Sequence, residues 1–175
     1  MDTEQLELVE PAEALREAYL EFIGEFQAAG DPYVGQESKE VHGDLSALIR
    51  RLLDWGRGKD LPDGWVPASS YWLLRGGRVV GTCSLRHRLT DALRDFGGHV
   101  GYGVRPSERR KGHATFMLRA MLQKAAAMGI GRVRVTCDAG NAASIGVIEK
   151  CGGKLDSESF SPRAGRVTRR YWIDL

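Results

Sequence analysis

The stretch Val104-Arg105-Pro106-Ser107-Glu108-Arg109-Arg110-Lys111-Gly112-His113-Ala114 runs from the end of an apolar strand, through a basic turn, into a helix that opens at or near Gly112. The first four N–H groups of a helix have no partner inside it and point outward at the positive end of the helix dipole, which makes a seat for phosphate. Gly112 lets an anion approach the main chain, Ala114 keeps the next turn free of bulk, and Arg109, Arg110 and Lys111 surround the seat with charge. Other phosphate loops fit poorly. The pattern G-x-x-x-x-G-K-[ST] is absent. Gly101-Tyr102-Gly103 opens a G-x-G-x-x-G pattern, but its sixth position is Pro106. The turn taken alone also admits a basic loop with no ligand.

Outward from this turn, the strand before it is His99 to Val104 and the helix after it is Lys111 to Met128, with a core stripe of Leu118, Met121, Leu122 and Ala125. Arg132 to Cys137 alternates Val133, Val135 and Cys137 against Arg132, Arg134 and Thr136, as a half-buried strand does. Strand, helix and strand in this order make a βαβ unit, so a parallel pair is expected. Asn141 to Lys150 is an Asn-capped helix closed by Gly152-Gly153, and Lys154 to Phe160 and Val167 to Leu175 are further strands. On the N-terminal side, Ser70 to Leu74 and Arg78 to Leu89 form a hairpin at Gly76-Gly77. Leu6 to Val9 is a first strand. Ala12 to Ala29 is a helix with the stripe Leu15, Ala18, Tyr19, Phe22, Ile23 and Phe26. Asp31 to Ser38 is a loop, and Val41 to Trp55 is a second helix carrying Leu45, Leu48, Ile49, Leu52 and Leu53. The order β-α-α-β-β-β-α-β-α-β-β predicts an α/β chain, one mixed sheet with helices on both faces, and one domain over residues 1–175.

Composition narrows the function. The chain has 175 residues, 42% hydrophobic, which suits one ordinary domain and argues against disorder. No run approaches the ~18 apolar residues of a membrane span, and Asp2, Glu4, Glu7 and Glu10 are unlike a signal or transit peptide. Cys83, Cys137 and Cys151 are three, widely spaced and without a C-x-x-C, so a disulfide framework and a cysteine metal site are both unexpected and a cytoplasmic protein is the natural reading. The net charge of +2 hides an asymmetry: residues 1–60 hold 14 acids and 6 bases, residues 61–175 hold 9 acids and 19 bases. Solvated helix faces account for this; so does a cationic substrate near the first third and a polyanionic cosubstrate near the rest. The bases form no helix stripe interleaved with aromatics, so nucleic acid is not expected as a partner.

The turn and the later helix together resemble the GNAT superfamily of N-acetyltransferases. Its acetyl-CoA motif [QR]-x-x-G-x-[GA] is met by Arg109-Arg110-Lys111-Gly112-His113-Ala114. Its following strand and Asn-headed helix are met by Val133 to Asp138 and Asn141 to Gly153, 32 residues on from Arg109 to Asn141. Gly98 to Gly153 is most similar to a bacterial group of predicted acetyltransferases, and the element order agrees with the GNAT fold over almost the whole chain. The resemblance implies acetyl-CoA as cosubstrate, no metal, an amine acceptor on a small molecule or peptide, and direct attack in a ternary complex. It also implies a parallel strand pair splayed apart to admit the thioester; a homodimer is compatible with it. The diphosphate would rest on main-chain N–H groups from Arg110 to Ala114. The pantetheine arm would pair with Tyr102-Gly103-Val104, the Val104 N–H would polarise the thioester carbonyl, and Asn141 and Ser144 would reach the same arm.

Acetyl transfer needs a neutral amine, and a lysine-like amine of pKa ~10.4 is almost wholly protonated at neutral pH, so a base is required. The sequence departs from the family at both proton-transfer positions. Ile148 stands where many relatives carry a tyrosine acid, seven residues after the helix-heading Asn. Gly98 stands where some carry a glutamate base. His99, next to Gly98, is the candidate base or water relay, with a structural role as the competing reading; His113 is expected to pack or to contact CoA, and His42 and His87 to be structural. For the acceptor, Glu37, Glu40 and Asp44 could attract a cation, with Trp55, Trp65, Tyr71 and Trp72 as an apolar wall. The missing tyrosine and glutamate leave a second reading open, a non-catalytic acyl-CoA-binding sensor of the same fold.

Overall fold

Trp72, Leu73 and Leu74 are buried in succession, which a strand allows only when both of its faces are covered. They belong to the second strand of a computed structural model that describes residues 5–31 and 44–175. In chain order the elements are β1 (Leu6–Val9), α1 (Arg16–Ala28), α2 (Leu45–Gly56), β2 (Ala68–Arg75), β3 (Arg78–Arg86), α3 (Asp91–Asp95), β4 (Val100–Val104), α4 (His113–Ala127), β5 (Arg132–Asp138), α5 (Ala142–Lys150), β6 (Lys154–Ser161) and β7 (Arg166–Asp174). Single 3-10 turns stand at Glu13–Leu15, ahead of α1, and at Pro106–Glu108. The expected order is present, with α3 added: Thr90 caps it by accepting from the Leu93 N–H at 3.3 Å. The start proposed for the second helix at Val41, the loop beyond Asp31, and Glu37, Glu40 and His42 lie outside the described residues.

The strands pair as two antiparallel sheets, β1-β2-β3-β4 and β5-β7-β6. Gly76 and Gly77, with φ of 55° and 75°, make the β2–β3 turn that the right-handed twist of a hairpin requires. The expected parallel pair, β4 beside β5, does not form a ladder. The His99 N–H donates to the Arg134 carbonyl at 2.7 Å, and beyond that point β4 and β5 share no main-chain hydrogen bond among the described residues. The strands touch at one end and then part, so the single mixed sheet becomes two sheets hinged at His99 and Arg134.

Helices cover both faces. Trp72, Leu74 and Val79 pack with Tyr19, Phe22, Ile23 and Phe26 of α1 and with Leu45, Leu48, Ile49 and Leu52 of α2. Tyr19 stacks on Trp72 with centroids 4.2 Å apart. The opposite faces bury Leu73, Val80, Cys83 and Leu85 against Met117, Leu118, Met121 and Ala125 of α4, together with Val133 and Val135 of β5 and Ile148 of α5. Each such side chain contributes on the order of 1.5–3 kcal/mol on leaving water. Gly81 is forced by this packing, because a Cβ there would stand 2.8 Å from the Met117 methyl and 3.0 Å from the Gly103 carbonyl. Arg134, expected on the open face of β5, is buried instead. It bonds Asp156 at 2.6 Å and the Arg94 carbonyl at 3.1 Å, and lies over the Trp172 ring. A charge is tolerated at that depth because it is paired and hydrogen-bonded.

Candidate active site

The basic turn leaves β4 through Arg105, which is buried and donates to Glu25 of α1 at 2.5 Å; the other Glu25 oxygen accepts from the Ser107 N–H at 2.6 Å. Burial pushes the Glu25 carboxyl up, but these bonds outweigh it and hold the pKa at about 2. The turn then needs left-handed backbone twice, at Arg110 (φ 63°) and at Gly112 (φ 87°). Gly112 is the N-cap residue of α4, and no side chain caps that end. Nothing lies within 4 Å of where a Gly112 Cβ would stand, so the helix N-terminus faces open space. Beside it is a recess of about 540 Å³ lined by Leu6, Lys111, Gly112, Thr115, Phe116, Arg119, Ala120, Gln123 and Lys150. Main-chain N–H groups, three cationic side chains and the half-exposed Phe116 ring fit a diphosphate joined to a nucleobase. Arg119, Lys150 and Phe116 were not among the residues singled out in the sequence. Arg119 lies on the helix eight residues after Lys111, and Lys150 comes from another element altogether.

Two members of the motif point elsewhere. The Arg109 side chain turns away from the recess: it bonds Asp31 at 2.6 Å and the Val104 carbonyl at 3.2 Å, and lies over the Phe26 ring. Its work is to tie the end of β4 to α1, because Asp31 and Phe26 outcompete the seat for its guanidinium. His113 is buried beneath the turn, with Nε2 3.3 Å from Glu108 Oε2. Glu108, also buried, accepts from Arg75 at 2.9 Å and lies 3.1 Å from Lys111 Nζ. Burial raises its pKa, and the bonds from Lys111 and His113 with the nearby cations lower it by more, so Glu108 remains a carboxylate that braces the turn from below.

At β4 the Arg105 N–H donates to the Val80 carbonyl and the His99 carbonyl accepts from Arg86, so the odd-numbered residues bond β3. Alternation then turns the N–H and C=O groups of Tyr102 and Val104 toward the gap between the sheets. Across that gap, Tyr102 Oη lies 2.8 Å from Ser144 Oγ on the first turn of α5. Asn141 heads α5 and its side-chain oxygen accepts from the Ser144 N–H at 3.0 Å, so its carbonyl serves as a cap. Gly101 faces the other side, where a cleft of about 1020 Å³ opens between α1, α2 and α3. Of the expected aromatic wall, Trp55 and Trp65 line it with ring centroids 5.0 Å apart, whereas the Tyr71 ring lies under Lys124 of α4 on the opposite face of the sheet and Trp72 is buried in the core against Tyr19. Its charged lining among the described residues is Arg51, Asp60, Arg86 and Arg163. Asp44 is not part of it, since its side chain caps α2 by accepting from the Ala47 N–H.

The proton-transfer positions are filled by structure. Ile148 is fully buried in the core. Gly98 has φ 60°, and a Cβ there would stand 2.4 Å from the Arg134 carbonyl, so no side chain fits. His99 is buried, and its Nδ1 accepts from the Arg134 N–H at 2.8 Å, which with its own N–H bond to the Arg134 carbonyl clasps the two sheets together. Burial, with the charges of Arg94 and Arg86, holds its pKa down at about 4. His87, expected to be structural, has its Nε2 2.8 Å from Ser69 Oγ across the β2–β3 hairpin.

These two groups set a pH dependence. The unfolded chain takes up a proton at His99 near pH 6.5 and at Glu25 near pH 4.5, while the folded chain waits until about 4 and about 2. In both cases the unfolded state binds more protons inside the window, so stability falls as pH falls through it. Denaturant melts of the wild type are expected to lose stability from pH 6.5 down to 4 and again from 4.5 down to 2, by about 3 kcal/mol at most for His99. His99→Asn should flatten the upper window alone and Glu25→Gln the lower alone; unaltered slopes would contradict the clasp.

A model of the GNAT acetyltransferase domain matches residues 6–154. No curated protein matches the chain. Among solved structures, Mycobacterium smegmatis RimJ in complex with CoA-disulfide is 19% identical with a TM-score of 0.74, over 97% of this chain and 81% of that one. Microcin C7 self-immunity acetyltransferase MccE, in complex with acetyl-CoA and AMP, is 17% identical with a TM-score of 0.70, over 99% and 94%. RimL, a ribosomal L7/L12 alpha-N-protein acetyltransferase in complex with coenzyme A, is 17% identical with a TM-score of 0.68, over 99% and 96%. At such identities the likeness establishes the shared fold.

Proposed function

The chain belongs to the GNAT acetyltransferase family, and on that premise we propose that it moves an acetyl group from acetyl-CoA to a primary amine by direct attack in a ternary complex. The observation that carries this is the uncapped N-terminus of α4 at Gly112, open in front and flanked by Lys111, Arg119 and Lys150. The diphosphate rests on the N–H groups of residues 110–114. The pantetheine arm enters between β4 and β5, where the Tyr102 main-chain groups and the Val104 N–H face it, the Val104 carbonyl being held by Arg109, and the Val104 N–H donates to the thioester oxygen as negative charge develops there. The amine comes from the aromatic cleft on the other side and reaches the carbonyl past Gly101, beside the Ser84 hydroxyl. RimL is a ribosomal L7/L12 alpha-N-protein acetyltransferase and MccE a microcin C7 self-immunity acetyltransferase, and the acceptor is held here to an amine on a small molecule or a peptide.

The amine must arrive neutral or lose its proton to water in the cleft. His99 is assigned to the clasp and not to the base: its Nδ1 is occupied, and a group of such low basicity takes protons from an ammonium poorly. A buried Ile148 and a Gly98 that admits no side chain also favour a second reading, a domain that holds acyl-CoA without turnover. A panel of amines, acetyl-CoA and a thiol reagent separates the two. Release of free thiol with at least one amine supports transfer; tight acetyl-CoA binding with no release across the panel supports the holding domain.

A further inference from the structure

The structure has no hydroxyl at position 148, yet it places one across the gap by another route. Tyr102 projects from β4 on the face of α4 and α5, and its Oη reaches Ser144 Oγ at 2.8 Å, where either hydroxyl can donate. This bond spans the opening between a strand whose main chain is turned outward and the first turn of α5. A thioester paired along Tyr102 and Val104 would lie in this opening, within reach of the two hydroxyls. The other titratable groups facing the phenol are the thiols of Cys137 on β5 and Cys151 after α5. Burial pushes both thiols up, so they stand neutral and give the sulfur no charge assistance.

Resting on the acetyltransferase reading, we propose that Tyr102 exchanges its bond to Ser144 for one to the sulfur of coenzyme A, and is the hydrogen-bond donor that stabilises the leaving thiolate. The amine lone pair forms the N–C bond, and the C–S bond breaks with its electron pair passing to sulfur. The proton left on the new amide nitrogen goes to water. The Tyr102 O–H bond stays intact. Burial pushes the phenol up to about 12, which keeps it a donor across the neutral range and suits it to hold a thiolate without surrendering its proton. Ser144 parks the hydroxyl when no sulfur is present, which keeps the half-buried phenol from standing unpaired.

The test is the ionisation of the thiol of bound coenzyme A, followed by thiolate absorbance as pH is raised, with the protein alone subtracted. A donor aimed at sulfur favours the thiolate, so the bound thiol should titrate lower in the wild type than in Tyr102→Phe by about one pH unit. Tyr102→Phe should slow turnover of acetyl-CoA by about 10- to 100-fold with little change in coenzyme affinity, and acetyl-selenocoenzyme A, whose selenolate leaves without help, should recover most of the loss. Equal titrations in wild type and Tyr102→Phe overturn the proposal. A wild-type bound thiol that titrates no lower than free coenzyme A overturns it without any variant. Absence of coenzyme A binding overturns the acetyltransferase reading itself and this assignment with it, so the two failures are told apart by binding alone.

Discussion

Gly112→Glu is expected to abolish coenzyme A binding while leaving the chain folded. The substitution has room, since no atom lies within 4 Å of the new Cβ. It costs about 1–2 kcal/mol of backbone strain at φ 87°, an amount a chain of this size withstands. What it does to the seat is larger. The carboxylate stands where the free N–H groups of α4 converge, so it occupies the anion position, repels the diphosphate and is itself stabilised by the helix dipole. A loss of at least 100-fold in affinity is expected, on the order of 3 kcal/mol. Calorimetric titration with coenzyme A measures the loss and a thermal melt confirms the fold. Gly112→Ala separates strain from occupation: it carries the same φ penalty and no charge, and should weaken binding far less. Equal affinity in wild type and Gly112→Glu would refute the assignment of the turn.

Gly98→Ala is expected to damage the fold more than any other single methyl added to a glycine of the gap. Its φ is 60°, and the added Cβ would stand 2.4 Å from the Arg134 carbonyl oxygen and 3.3 Å from Val135 Cα. Those are main-chain atoms of β5, held by the full β5–β7 ladder, and they have nowhere to go. Left-handed strain of about 1–2 kcal/mol and overpacking of about 1–3 kcal/mol add to roughly 2–5 kcal/mol, about 10 °C in melting temperature at the middle of that range for a chain of this length. The matched control is Gly129→Ala, where φ is 76° and nothing lies within 4 Å. It bears the strain alone, so the difference between the two melts isolates the contact between the sheets. A Gly98→Ala protein as stable as Gly129→Ala would remove the close approach on which the clasp depends. The same contact explains why a glutamate cannot be restored here: the position is taken up by the hinge.

What the sequence made legible follows from periodicity and from local rules. The α1 stripe through Tyr19, Phe22, Ile23 and Phe26, the Asn141 cap and the Gly76-Gly77 turn are set by residues a few positions apart, and all are present. The turn from Arg109 to Ala114 was legible because left-handed Gly112 and an uncapped helix start are local facts too. The remainder depends on neighbours distant in the chain. Alternation in β5 marks Arg134 as outward, yet Asp156, Trp172 and the Arg94 carbonyl come from elsewhere to bury it. The side chain of Arg109 could serve the recess or Asp31, and only the placement of α1 decides it. The helix Asp91–Asp95 is too short to show a period. His99 carries a residue type suited to proton transfer, and nothing in its own strand reveals that the Arg134 N–H lies against its ring.

The claim underlying the whole account is that the open start of α4 grips a diphosphate, and the most direct measurement is calorimetric titration of the full chain with coenzyme A. The account predicts exothermic, saturable binding below millimolar concentration that weakens as salt is raised, because the contacts are to phosphate. A folded protein giving no heat with coenzyme A at millimolar concentration would contradict it.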